Sequence, residues 1–148
     1  AGLALYGYSS STQDTNLKPA LTLTTKIAQI KKVSKGEKLG YDGTYTAKKE
    51  LTVAVLPIGY YDGVDRRLSN NSICLLDNIE CPILGRVSMN LNIIDVSKVP
   101  TPKAGQEVIV YSSNPKDKNS LENSAKLCKT IVYDLLVNLA ESTRRVIL

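Results

Sequence analysis

Between residues 21 and 111 the chain is a succession of short apolar runs separated by glycine, proline and polar turns, a spacing that predicts strands. Its centre is Leu51–Leu56 (LTVAVL), a β-branched apolar run of strand length with tyrosine and glycine on either side. Upstream, residues 1–8 read as a strand or strand exit ending in glycine, and residues 9–16 as a polar loop. Residues 21–33 alternate imperfectly, which predicts one long strand bent or bulged near Ile27. Ser34, Lys35 and Gly36 make a turn, after which a further strand delivers Tyr41. Runs at 72–76 and 81–84 meet around Asp77-Asn78, a hairpin signal without the usual glycine. Further strands are predicted at 91–96 and Glu107–Tyr111. The pattern then changes. Leu121, Ala125, Leu127 and Cys128 suggest a short helix with Ser120 as its N-cap. A second helix is predicted within 131–140 and a terminal strand at 146–148. The fold expected is mainly β: a small Greek-key-like β-barrel domain with one or two short C-terminal helices.

Composition narrows the chemistry. A chain of 148 residues suits one domain, burying about 68–70% of its unfolded surface. The formal charge of +5 comes mostly from dispersed lysine, densest at Lys31, Lys32, Lys35 and Lys38. No aromatics interleave with these cations, so a solvated strand face and turn explains them better than a single-strand nucleic-acid platform. Three cysteines without CxxC spacing, and no histidine, argue against a metal site and exclude a histidine base within the chain. Free thiols in apolar surroundings fit a reducing cytoplasm. No apolar run reaches the length of a membrane span, and no signal peptide is visible.

Tyrosine is the only aromatic type, and four of the eight tyrosines fall at 41, 45, 60 and 61. These phenols have two readings. They cover the edge of the core, or one of them carries protons. A tyrosine base poised near neutrality needs its pKa lowered by roughly 3 units, about 4 kcal/mol, by nearby cations or donors.

Three blocks bear on that choice: LGYDGTYTA at 39–47, PIGYYDG at 57–63 and GRVSMN at 85–90. In this order and spacing they resemble the C-terminal domain of bacterial alanine racemase. GLALYG at 2–7, LKPAL at 17–21 and Tyr133 after Thr130-Ile131 also match, so the resemblance covers nearly the whole chain. It implies that residues 1–8 are the end of an N-terminal (β/α)8 barrel and 9–148 the β domain. A barrel typically needs about 250 residues, so the barrel, with the lysine that holds pyridoxal 5'-phosphate, is not in this chain.

By resemblance, Tyr41 is the catalytic acid/base acting on the partner subunit's cofactor, opposite that lysine. The Met89 backbone amide contacts the substrate carboxylate. Gly2, Leu3 and Tyr133 bind the phosphate of the chain's own subunit. Tyr60, Arg66, Ile131 and Asn90 line the substrate entrance. Of the terminal arginines only Arg145 carries over, because the family's proline between them is missing. Asp42 stands where the family commonly has glycine, and Asn90 where it usually has aspartate. The implied protein is a cytoplasmic homodimer that interconverts L- and D-alanine, supplying D-alanine for peptidoglycan. The implied partners are the barrels of both subunits and a small amino acid, with no nucleic acid and no membrane. The chain alone is expected to be inactive. Two alternatives stay open at this point: a racemase of serine or broad specificity, and a non-enzymatic basic β-domain binding nucleic acid or protein.

Overall fold

The structure, a computed structural model, describes residues 2–9 and 16–147. Among the described residues are nine strands: β1 (Leu23–Lys26), β2 (Gln29–Val33), β3 (Lys38–Leu39), β4 (Tyr45–Thr46), β5 (Leu51–Leu56), β6 (Ile73–Leu76), β7 (Ile79–Pro82), β8 (Asn92–Asp95) and β9 (Glu107–Tyr111). Three short helices accompany them: α1 (Gly2–Leu5), α2 (Leu121–Leu127) and α3 (Val132–Val137). The strands form a four-stranded sheet in the order β1-β9-β6-β7, a three-stranded sheet β2-β5-β8 and the hairpin β3-β4. Every ladder between them is antiparallel. The mainly β fold with short C-terminal helices is therefore as expected.

The long strand expected over 21–33 is two strands in different sheets. The switch takes one residue step. The Ile27 N–H donates to the Gln106 carbonyl beside the first sheet, and the Ala28 N–H to the Val55 carbonyl in the second, both at 2.9 Å. A second seam joins the sheets where Ile83 bridges Ile94 and the Leu84 N–H reaches the Ile93 carbonyl at 2.8 Å. Between the seams lies the main core, which includes Leu56, Leu76, Ile94, Val108, Tyr111, Leu121 and Leu135. A smaller cluster of Val33, Ala47, Leu51, Val53 and Leu84 packs with Leu39 and Tyr45 of the β3-β4 hairpin. β5 serves both, with Leu51 and Val53 in the small cluster and Ala54 and Leu56 in the main one. A strand buried on two faces reads as a continuous apolar run, which is why LTVAVL shows no alternation.

Local signals explain most of the remainder. Asp77 and Asn78 take φ of 51° and 61°, the pair of left-handed residues that a two-residue hairpin requires. Ser120 caps α2 by accepting the Asn123 N–H at 3.2 Å. Lys31 and Lys32 are exposed on β2, an edge strand, where lysine also discourages pairing with another chain.

Two further expectations fail. Residues 2–5 are helical, because leucine and alanine prefer helix and the run lacks the β-branched residues of a strand. Val146 and Ile147 are exposed and belong to no strand. Of the loop expected at 9–16, Ser9 and Asn16 are irregular and 10–15 lie outside the described residues; so does Leu148.

Candidate functional site

Tyr41 opens a single 3-10 turn, Tyr41–Gly43, closed by the Gly43 N–H on the Gly40 carbonyl at 3.1 Å. Gly40 (φ 78°) lies directly on Gly85 (φ 80°), and a Cβ added to either would sit 2.8 Å from the other's Cα. Only a glycine pair permits that approach, and it brings the 39–47 block against the 85–90 block. Arg86 Nη1 then donates to Asp42 Oδ2 at 3.2 Å, tying the turn from its other side. Tyr41 is 62% exposed.

The 57–63 block docks on the same place. A Cβ at Gly59 would lie 2.1 Å from the Ser88 carbonyl oxygen, so the backbones touch. The Tyr60 and Tyr61 N–H groups donate to the Ser88 and Met89 carbonyls at 3.0 and 2.9 Å. Within the block, the Gly59 N–H donates to Asp62 Oδ2 at 2.9 Å. The three sequence blocks thus form one contiguous surface. Tyr60, Met89 and Asn90 are exposed on it, and the Met89 N–H meets no acceptor among the described residues. Arg66 follows on the next turn, with its side chain exposed and making no ion pair among the described residues.

A second group forms around α3. The Leu3 N–H donates to the Tyr133 hydroxyl at 3.1 Å across 130 positions of sequence. Gly2 adjoins it: a Cβ there would fall 3.5 Å from the same oxygen. Gly2, Leu3 and Tyr133 are therefore together, and the Tyr133 hydroxyl, whose oxygen accepts from Leu3, keeps its own proton to donate to an oxyanion such as a phosphate. Ile131 is exposed just ahead of α3. Arg145 joins neither group; its Nη1 donates to the Glu141 and Thr143 carbonyls at 3.3 Å, within its own turn.

The connection between the two groups rests on residues the sequence reading passed over. Tyr111 is fully buried, and its hydroxyl donates to the Gly63 carbonyl at 3.2 Å while accepting the Asp65 N–H at 3.1 Å. Burial pushes this phenol well above its ordinary pKa. Asp65 caps the next turn, accepting the Arg67 N–H at 2.8 Å. Arg67 Nε also donates to Asp65 Oδ1 at 2.9 Å, and Nη2 to Asp134 Oδ2 at 3.0 Å. The Arg67 hydrogen bond, outweighing desolvation, holds the Asp65 carboxyl below its ordinary pKa. The only signal in the sequence was the capping spacing of Asp65 and Arg67. Nothing local pointed from either to Asp134, 67 positions beyond Arg67.

Comparison with known proteins follows the same lines. The family model described as alanine racemase, C-terminal domain, matches residues 20–147. An alanine racemase of Borreliella burgdorferi (strain ZS7) is 38% identical over 148 residues, taking in 97% of this chain and 39% of that protein. The crystal structure of alanine racemase from Bartonella henselae with covalently bound pyridoxal phosphate matches with a TM-score of 0.87 at 27% identity, covering 98% of this chain and 40% of that one. Alanine racemase from Bacillus anthracis with bound L-Ala-P matches with a TM-score of 0.83 at 33% identity, covering 94% and 36%. This chain thus spans about two fifths of the length of these relatives.

Proposed function

This chain belongs to the alanine racemase C-terminal domain family, and from that membership we propose that it is the carboxy-terminal part of a pyridoxal phosphate-dependent alanine racemase. Residues 1–8 are the end of the preceding barrel and 9–148 the β domain. The whole protein is a cytoplasmic homodimer that interconverts L- and D-alanine for peptidoglycan. The observation that carries this reading is the convergence of the three motif blocks. Through the Gly40–Gly85 contact and the docking of Gly59 on Ser88, the Tyr41 phenol and the Met89 amide share one exposed surface.

Racemisation removes the Cα proton on one face and returns a proton on the other. Bound pyridoxal phosphate supplies the electron sink that makes this proton removable. Tyr41 holds or takes the proton at its hydroxyl oxygen on one face. Its ring projects from a backbone pinned on two sides, as proton transfer over hydrogen-bond distance requires. The Met89 N–H, free of protein acceptors among the described residues, receives the substrate carboxylate. Leu3 and Tyr133, with Gly2, would hold the phosphate of the chain's own subunit, whereas Tyr41 and Met89 would serve the partner's site. Tyr60, Arg66, Ile131 and Asn90, all exposed, would line the substrate entrance.

Tyr41→Phe in the full-length enzyme tests this reading. It deletes one exposed hydroxyl, so the melting temperature should hold. Turnover should fall by about 10² to 10⁴, the usual contribution of an acid/base group. Exchange of the Cα proton with solvent should become unequal for the two enantiomers, since the opposite face keeps its lysine. Unchanged turnover in both directions removes Tyr41 from the reaction. The 148-residue chain assayed alone with added cofactor should show no turnover.

A further inference from the structure

α3 is only six residues long, and its N-cap Ile131 makes no side-chain capping bond. So short a helix does not fix its own orientation. Leu135 turns it toward the core on one side. On the other, Asp134 accepts Arg67 Nη2 at 3.0 Å, Thr130 Oγ1 at 2.9 Å and Asn138 Nδ2 at 3.2 Å. Arg67 is itself held by Asp65, whose N–H rests on the buried Tyr111 hydroxyl. At the far end of the helix, Gly63 is so close that a Cβ would lie 2.8 Å from the Asn138 carbonyl oxygen and Leu139 Cα. The residue just before Asp134 is Tyr133, whose hydroxyl meets the Leu3 amide.

We infer that Arg67 and Asp134 are positioning residues for Tyr133: the guanidinium fork sets the rotation of α3, and thereby the place of the phenol on the phosphate. This rests on the reading of Tyr133 as a phosphate ligand. Neither side chain hydrogen-bonds Gly2, Leu3 or Tyr133 among the described residues. A planar fork that grips Asp65 through Nε on Oδ1 and Nη2 on Oδ2, and Asp134 through Nη2, fixes geometry in a way a single-point charge does not. The neighbouring Arg66, with no such grip, is left to the entrance.

The test uses the full-length holoenzyme and reads cofactor retention, as the dissociation constant of pyridoxal phosphate on reconstitution of the apoenzyme. Tyr133→Phe should weaken binding by roughly 10- to 100-fold, the range for a hydrogen bond to a charged group. Arg67→Gln and the isosteric Asp134→Asn should each weaken it by about 3- to 10-fold, a part of that same bond. Because both act through Tyr133, the double variant Arg67→Gln/Tyr133→Phe should be no weaker than Tyr133→Phe alone. Wild-type retention in both Arg67→Gln and Asp134→Asn overturns the inference, and so does a double variant in which the single effects multiply. If Tyr133→Phe weakens binding and the other two do not, only the positioning role fails. If Tyr133→Phe itself changes nothing, the phosphate-ligand reading fails with it.

Discussion

Asp42 occupies φ 59°, ψ 16°, a left-handed conformation in which a side chain is ordinarily strained and where the resemblance expects glycine. Aspartate tolerates it better than most residues, and its carboxylate pairs with Arg86 across the turn. Both side chains are largely exposed, so the pair contributes about 0.2–1 kcal/mol at most. A carboxylate thus stands at 42 in this chain while 90 carries an amide, and Arg86 takes the one present. The expected outcome in urea unfolding is that Asp42→Gly and Asp42→Asn stay within about 1 kcal/mol of the parent, whereas Asp42→Val loses about 1–3 kcal/mol to backbone strain. Equal stability for the valine variant would mean that the left-handed turn is not the conformation adopted.

Among the elements, the contact between the Tyr41 turn and the strand exit at Gly85 matters most. Gly85→Ala meets two obstacles, φ 80° and a Cβ placed 2.8 Å from Gly40 Cα and 2.9 Å from the Leu39 carbonyl oxygen. Gly36→Ala meets one, φ 92° with open space around it. Gly36→Ala should therefore lose about 1 kcal/mol, and Gly85→Ala clearly more, roughly 2–4 kcal/mol, with the turn displaced. Equal losses in denaturant titration would deny the close approach. The glycines at 40 and 85 were legible only as members of the 39–47 and 85–90 blocks; that they face each other was not, since 45 positions separate them. The 77–78 hairpin, the Ser120 cap and the β5 strand were legible because their signals are local. α1 was misread because a four-residue apolar run carries no period. The Arg67–Asp134 link has no sequence signature at all: it exists only once β9 has placed Tyr111 beneath Gly63 and Asp65.

For the whole molecule, burial of three unpaired thiols sets an alkaline limit. Burial raises Cys74 from its ordinary 9.0 to about 12, and Cys81 and Cys128 to about 11. Between these values and 9 the folded chain binds more protons than the unfolded one, so stability is full below pH 9 and falls as pH rises toward 11–12. The melting temperature should drop over that window, and less steeply in Cys128→Ala; a flat profile would contradict the burial. At the same scale stands the division of labour, with one surface for the partner's site and one for the chain's own. A two-fold dimer satisfies both at once, because every contact is made twice. The direct measurement mixes two inactive full-length variants, one without the barrel lysine and one carrying Tyr41→Phe, and assays racemisation after subunit exchange has been verified by mass spectrometry. If Tyr41 serves the partner's site, each heterodimer has one site with both lesions and one with neither. Activity should then return to about one quarter of wild type at equal mixing, since half the dimers are mixed and half their sites intact. A mixture that stays inactive after complete exchange would mean that Tyr41 acts within its own subunit.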